Sequence, residues 1–348
     1  MVIKEVLRLV SPGAFMPCFE YEDIDADPNK VIVKPQVISI CAADQRYFNG
    51  TRPQNVIDQK LPMALIHEAL GTVLYDPQGK IEKGSLCVLI PIENHEDPES
   101  NYLPLTRFRS SNCDGFCQEL MGIEREEIIV VGGRDTDEET RDLYVFTELV
   151  SVCTQALNKV RSLEGGQAKK NPKIAVMGDG PMAFLMALVC RHRMPKAAIH
   201  VIGKHDSKLA RFSFADKLLS IYSKGGVKDS HYDICFECVG GSGAQSAVTM
   251  AEGCTRPCGK IVLMGVSENR IAVNTRLILE KGLTLTGTSR STKKDFTEAA
   301  SLISKARFAK QLKKIVSACY QINDHHDLEN AFINDINNPF KTMARLNL

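Results

Sequence analysis

The chain has 348 residues, of which 44% are hydrophobic and 24% charged, with a formal net charge of +1. This length favours two domains, and the balanced charge gives no reason to expect nucleic acid or an anionic membrane as a partner. The first fifteen residues have scattered charges and no apolar core, and no run of about 18 uncharged apolar residues occurs, so we expect neither a signal peptide nor a membrane span. Twelve irregularly spaced cysteines then indicate free thiols or metal ligands in a reducing cytoplasm.

The first part of the chain, up to about residue 150, carries short apolar runs separated by Gly, Pro and Asp. Typical runs are residues 31–35, 71–74 and 86–90. This pattern predicts a mostly β domain.

From about residue 172 to 289, short Val-, Ile- and Leu-rich runs alternate with helical segments. The expected strands are residues 173–177, 198–202, 233–239, 260–266 and 283–288, and the expected helices include 182–193 and 242–252. Such alternation predicts an α/β fold with a doubly wound parallel sheet. Residues 295–348 begin as a helix and are expected to return to the first domain, which gives domains of 1–150 with 295–348, and of 151–294.

A glycine motif leaves the first of these strands and enters an apolar helix. Its pattern is G-x-G-x-x-A, with small residues at the turn and the helix N-terminus beyond, and it predicts that a dinucleotide pyrophosphate binds there. The residues are Gly178, Asp179, Gly180, Pro181, Met182 and Ala183.

The end of the second strand indicates which dinucleotide binds. NAD enzymes usually place an acid there to hold the ribose hydroxyls, but this chain has Gly203 followed by Lys204, with Lys208 and Arg211 further on. The cations favour a 2′-phosphate and therefore NADPH, with Lys204 as the first candidate contact. The alternative is that these cations are solvated residues on a helix surface.

Three residues in the first domain are of the types that bind zinc. Cys41 lies upstream of the adjacent pair His67 and Glu68, and catalytic zinc usually has three protein ligands and an open position. Scattered residues of these types are more often structural, so the spacing alone does not establish a metal site.

These segments together resemble the medium-chain zinc dehydrogenases over essentially the whole chain. The family's Cys-x-x-Asp segment matches residues 40–44, its Gly-His-Glu motif resembles residues 66–73, and its Glu-Pro-Leu-Ser segment resembles residues 148–151. Its glycine loop and a later strand are similar to residues 178–181 and 233–240. The resemblance implies a Rossmann domain and a GroES-like catalytic domain. Ile66 stands where the family has glycine.

Longer segments resemble one branch of that family, the ribulose-5-phosphate reductases. They are residues 38–47, 61–68, 108–111 and 280–291. This resemblance implies hydride transfer from NADPH to the C2 ketone of D-ribulose 5-phosphate. The product, D-ribitol 5-phosphate, would serve CDP-ribitol synthesis for teichoic acid or capsule, with a ribitol-5-phosphate cytidylyltransferase as the neighbouring enzyme. It also implies a homo-oligomer, commonly a dimer.

The resemblance also implies roles for individual residues. Cys41, His67 and Glu148 would hold one catalytic zinc, Glu68 would be a fourth ligand or would hold a water molecule at the metal, and Asp44 would orient the site. Position 43 is Ala and lacks the hydroxyl that starts a proton relay in many alcohol dehydrogenases.

No structural zinc is expected, because the corresponding region offers only Cys87, Cys113 and Cys117. Another divalent ion could occupy a Cys/His/Glu site. The pair Cys235 and Cys238 is expected to be packing in a buried strand rather than a metal motif.

A sugar phosphate requires cationic contacts. Arg290 follows the last sheet strand and is the first candidate, with Arg46 and Arg109, and then Arg52 and Lys60, as others. Two alternatives stay open: an NAD(P)-dependent dehydrogenase of an unphosphorylated polyol, and a non-catalytic NADPH-binding member of the family.

Overall fold

The computed structural model of the chain describes residues 1–24, 27–93, 98–132, 137–164, 169–222 and 226–348. The chain divides into two compact units, one made of residues 1–148, 290–309 and 316–348 and the other of residues 149–289 and 310–315. No helix among the described residues is long and apolar enough to cross a membrane.

The first unit is mostly β. A three-stranded sheet has the order β2-β1-β4, and a seven-stranded sheet has the order β15-β16-β3-β5-β6-β8, with β7 paired to β3. The strands before residue 149 are β1 (Val2–Ser11), β2 (Ala14–Glu22), β3 (Lys30–Ser39), β4 (Met63–Ala64), β5 (Ala69–Tyr75), β6 (Leu86–Leu89), β7 (Met121–Glu124) and β8 (Ile128–Val130). The helices there are α1 (Ala42–Phe48), α2 (Gln54–Lys60) and α3 (Glu138–Asp142), and α4 (Thr147–Glu164) follows.

The second unit is built on a six-stranded parallel sheet of order β11-β10-β9-β12-β13-β14. Its strands are β9 (Lys173–Met177), β10 (Ala198–Gly203), β11 (Lys217–Ser220), β12 (Tyr232–Glu237), β13 (Thr255–Leu263) and β14 (Thr284–Gly287). Its helices include α5 (Pro181–Arg193), α6 (Asp206–Leu209), α7 (Ala244–Cys254) and α8 (Thr275–Lys281). The predicted doubly wound α/β fold is confirmed.

Two sequence expectations for this sheet were incomplete. Strand β11 was not predicted, because residues 217–220 begin with Lys and end with Ser and lie at the sheet edge. The strand predicted at 260–266 begins at Thr255, since Pro257 and Gly259 resemble a turn in sequence although they lie within β13.

After β14 the chain returns to the first unit, apart from residues 310–315, which belong to the second. The remaining elements are α9 (Lys293–Ile303), α10 (Ala306–Leu312), β15 (Val316–Ile322), α11 (His325–Asp335) and β16 (Lys341–Leu346). Strand β16 lies beside β3, and Phe332 of α11 packs on Phe15 and Phe48 with ring centroids 5.3 and 4.9 Å away. This return places Lys341 in the same sheet as the segment before Cys41.

Candidate active site

Three potential metal ligands meet in the first unit. Cys41 is the N-cap of α1, and His67 and Glu68 come directly before β5. Their ligand atoms all lie within 4.8 Å of one another, His67 and Glu68 are buried, and Cys41 is partly exposed. A thiol, an imidazole and a carboxylate are the donor set that zinc prefers.

An unusual backbone conformation brings His67 and Glu68 to this position. Ile66 is fully buried and has φ 77°, in the left-handed region that β-branched residues rarely adopt. Its N–H donates to Asp44 at 3.2 Å, and its carbonyl accepts from the N–H of Phe116 at 2.8 Å. Ile66 therefore has the backbone conformation of the glycine that the family has at this position, and its hydrogen bonds to Asp44 and Phe116 stabilise that conformation.

Asp44 connects three separate segments around the site. Its carboxylate accepts from the Cys41 N–H at 3.2 Å and the Ser110 hydroxyl at 2.5 Å, and it lies 3.3 Å from Nδ1 of His67. Burial alone would raise the pKa of Asp44, but His67, Ser110 and the Cys41 amide outweigh it and lower the pKa. With Asp44 ionised, Nδ1 of His67 is the donor and Nε2 remains available for a metal.

Glu68 has a buried cationic partner. Nζ of Lys341 lies 2.9 Å from Oε1 of Glu68 and also donates to the carbonyl of Ile40 at 2.5 Å. The other carboxylate oxygen, Oε2, is buried and has no hydrogen-bond partner among the described residues. Sequence reasoning missed Lys341, because 273 residues separate it from Glu68 and no motif marks it.

The electrostatics of the site favour added positive charge. Burial would lower the pKa of His67, but Asp44 and Cys41 outweigh it and raise the pKa well above its usual value. Burial would likewise lower the pKa of Lys341, and Glu68 and Cys41 raise it. A divalent cation on Cys41, His67 and Glu68 would supply that charge and would use the orphaned oxygen of Glu68, so the residues fit zinc.

Glu148, the fourth predicted ligand, is the second residue of α4. It lies outside the three-residue set. Burial raises the pKa of Glu148 to about 7; the charge of His67 opposes this rise, and the charge of Glu68 adds to it. Direct ligation by Glu148 stays a prediction.

The other cysteines with suggestive spacing lie in different surroundings. Cys87 and Cys117 are buried, and Cys113 is partly exposed. Cys235 is buried in β12, with its sulfur 3.7 Å from that of Cys254, whereas Cys238 lies just after the strand and is partly exposed.

The predicted phosphate contacts differ in their surroundings. Arg290 has φ 57°, Nη1 donates to the carbonyl of Asn101 at 2.8 Å, and the guanidinium lies 5.8 Å from the ring of Phe108. That ring lies 5.7 Å from His67, so one aromatic side chain separates Arg290 from a candidate metal ligand.

Arg46 and Arg109 lie in other settings. Arg46 is partly buried in the last turn of α1. Arg109 is buried, and Nη2 lies 3.3 Å from Glu127, so its interpretation as a phosphate contact loses support.

The glycine motif lies at the carboxyl end of β9, in the second unit. Gly178 has φ 121°, and a Cβ there would lie 3.3 Å from Cβ of Ala183, so glycine is needed for the turn. Gly180 is the N-cap of α5, and nothing lies within 4 Å of its ideal Cβ position. That open space beside a helix N-terminus suits a pyrophosphate.

A cavity of about 230 Å³ adjoins this motif, and its lining includes Gly178, Asp179, Gly203, Lys204 and His205. Here the sequence interpretation needs a correction. β10 ends in Gly203 rather than in an acid, and Asp179 from the glycine loop occupies the end of that strand: Oδ2 accepts from the N–H groups of Lys204 at 2.8 Å and His205 at 2.7 Å.

The family model described as zinc-binding dehydrogenase matches residues 199–305, which lie mostly in the second unit. Within that class, a ribulose-5-phosphate reductase of Streptococcus pneumoniae is 37% identical over 349 residues, covering 99% of this chain and 97% of the relative. Ribulose-5-phosphate reductase 1 of Staphylococcus aureus is 38% identical, with 96% of each chain covered. The chain therefore belongs to the ribulose-5-phosphate reductase family.

A solved structure agrees with this assignment. S. aureus TarJ, crystallised in complex with NADPH, superposes with a TM-score of 0.85 at 34% identity, and all of each chain is covered. The expected resemblance to the ribulose-5-phosphate reductases is thus confirmed in sequence and in fold.

Proposed function

We propose that this chain is a zinc-dependent enzyme that transfers hydride from NADPH to the C2 ketone of D-ribulose 5-phosphate and releases D-ribitol 5-phosphate. The observation that carries the proposal is the preformed cluster of Cys41, His67 and Glu68 in a chain that aligns with ribulose-5-phosphate reductases along nearly its whole length. Bound there, zinc would supply the Lewis acidity that polarises a ketone.

The chain's own residues prepare that site. Asp44 fixes the ring of His67 through Nδ1, and Lys341 holds Glu68 through Oε1. Ala43 has no hydroxyl group, so no proton relay can begin at that position. The alkoxide left by hydride transfer needs one proton, and water in the site is its source; Glu68 would pass that proton on where its buried oxygen Oε2 is not itself bound to the metal.

The cofactor site belongs to the second unit. Gly178, Gly180 and Ala183 shape the turn, and the N-terminus of α5 faces the pyrophosphate. The contacts proposed from sequence are Gly178, Asp179, Gly180, Pro181, Met182, Ala183, Gly203, Lys204 and Lys208. In this assignment residues 151–294 form the Rossmann domain, and residues 1–150 with 295–348 form the GroES-like catalytic domain.

For the sugar phosphate we assign Arg290 as the main cationic contact. Its guanidinium lies over Phe108, whose ring also contacts His67, so an anion bound by Arg290 would be near the metal ligands. Arg46 is the second candidate. The proposal extends to a homodimer in the cytoplasm, with its product used by a ribitol-5-phosphate cytidylyltransferase for teichoic acid or capsule synthesis.

Oxidation of NADPH by the zinc-loaded protein tests the proposal, with D-ribulose 5-phosphate compared with D-ribulose and NADPH compared with NADH. Turnover with NADPH and the phosphorylated ketose, abolished by a chelator, is the expected result. Equal rates with D-ribulose would favour a general polyol dehydrogenase. A zinc-loaded protein that binds NADPH but turns over no ketose would favour a non-catalytic member of the family.

A further inference from the structure

The side chain of Asp179 occupies the end of β10 and excludes any other side chain there. A Cβ added to Gly203 would lie 2.8 Å from Cβ of Asp179 and 2.9 Å from Leu209. The carboxylate is therefore placed where dinucleotide-binding folds that use NAD have an acid, but it comes from the glycine loop, 24 residues earlier in the chain.

Protein donors already occupy one oxygen of this carboxylate. Oδ2 accepts from the amides of Lys204 and His205, and Nδ1 of His205 lies 3.0 Å from the same atom. Burial would raise the pKa of Asp179, but the donors of His205 and Lys204 outweigh it and lower the pKa. The acid is thus ionised and bound to the turn that follows β10.

The turn held in this way carries two basic side chains. Lys204 and His205 both line the cavity beside the glycine loop, and both are exposed. We propose that Asp179 acts as a positioning residue that fixes the turn after β10, and that His205, together with Lys204, binds the ribose 2′-phosphate and so selects NADPH over NADH. This inference rests on the proposed use of NADPH.

Two other arrangements make different predictions. If Asp179 instead accepted hydrogen bonds from ribose hydroxyls, it would favour NADH, and its charge would repel a 2′-phosphate. If the pair of Asp179 and His205 only stabilised the fold, removing either side chain would change binding of phosphorylated and unphosphorylated ligands equally.

The test uses 2′,5′-ADP and 5′-AMP, which differ only in the 2′-phosphate, in binding titrations with the full-length protein. We expect His205→Ala to weaken 2′,5′-ADP about ten-fold, the effect of one charge-assisted hydrogen bond, and to leave 5′-AMP within about two-fold. Asp179→Ala should lower the same preference. Asp206→Asn removes an exposed carboxylate one residue beyond the turn and is the matched control.

The outcomes separate this inference from the proposed function. A wild-type protein without preference for 2′,5′-ADP contradicts the proposed cofactor. A wild-type preference that His205→Ala leaves unchanged overturns the inference alone. A preference that rises in Asp179→Ala shows that the carboxylate opposes the 2′-phosphate, which also overturns it. His205→Ala keeps the experiment decisive if Asp179→Ala does not fold, because His205 is exposed.

Discussion

The ammonium group of Lys341 lies 2.9 Å from a carboxylate oxygen of Glu68, and both side chains are buried. Removing one member of a buried ion pair leaves the other charge uncompensated and costs about 3–5 kcal/mol. Lys341→Met should therefore destabilise the zinc-free protein by about this amount. Bound zinc supplies the missing positive charge, so the loss should be smaller in the loaded protein.

Thermal unfolding with and without zinc measures this difference. The double variant Lys341→Met with Glu68→Gln is the control, because it removes both charges and should recover much of the zinc-free stability. If Lys341→Met lowers the stability equally with and without zinc, Lys341 does not compensate the charge of Glu68.

Asp44 should control metal affinity without binding the metal. Asp44→Asn replaces an acceptor with a donor where Cys41, Ile66 and Ser110 all donate. Loss of such a supporting partner typically costs about 10–100-fold in metal affinity or activity. A competition titration with a chromogenic chelator measures the affinity, and Ser110→Ala, which removes one of these donors, should have a smaller effect. Unchanged zinc affinity in Asp44→Asn would refute the role.

Arg290 should matter only for phosphorylated substrate. Arg290→Ala should raise KM for D-ribulose 5-phosphate by about 10–100-fold, the range of one or two hydrogen bonds to a charged group, and leave the activity on D-ribulose unchanged. Steady-state kinetics with both ketoses measure this. Arg276→Ala is the control, since Arg276 is exposed and pairs with Glu280 on its own helix. A parallel loss with both ketoses would rule out Arg290 as the phosphate contact.

Gly180 should be required for the cofactor and not for the fold. Nothing lies within 4 Å of its ideal Cβ, so Gly180→Ala should leave the unfolding temperature unchanged. The added methyl group would instead meet the pyrophosphate and weaken NADPH binding, as fluorescence titration can measure. Gly253→Ala in α7, where the nearest atom lies 3.7 Å away, is the matched control and should bind NADPH normally.

The stability of the β domain should depend on pH through Asp76. The Arg125 guanidinium, with the amides of Gln78 and Ile81, lowers the pKa of Asp76 from 3.8 to about 2. The stabilisation is present above pH 4 and is lost as the pH falls toward 2. Asp76→Asn should therefore be less stable by about 1.5–3 kcal/mol at pH 7 and approach wild type at low pH.

Urea unfolding at pH 7 and at pH 3 measures the free energy of unfolding of Asp76→Asn and of wild type at each pH. Asp58→Asn, which changes an exposed carboxylate bonded to Gln54, is the control. A difference from wild type that stays constant between the two pH values would contradict the assignment to Asp76.

Local patterns were sufficient to predict the parallel sheet and the glycine turn, because buried strands and a G-x-G-x-x-A turn are short-range features. The boundaries of β9 were correct to the residue. The partners that the sequence could not predict act across long separations. Lys341 lies beside Glu68 because the end of the chain returns to the sheet of the first unit. Asp179 lies beside Lys204 and His205 because β9 and β10 are neighbours in the parallel sheet.

The correction at Asp179 shows the same limit. The sequence of β10 contains no acid because the glycine loop before it supplies the carboxylate. The only local sign is Gly203, whose missing side chain leaves room for Asp179. A glycine at a strand end can therefore mark a side chain arriving from elsewhere.

Ile66 has a consequence for how the metal is acquired. Its left-handed backbone is held on one side by Asp44 and on the other by Phe116, and its side chain is completely buried. The segment carrying His67 and Glu68 is therefore preorganised by the protein, and a metal held by these two candidate ligands would not have to order them, because that entropy is lost during folding. A preorganised site of this kind would adapt poorly to ions that require another geometry, so the fold itself would contribute to metal selection.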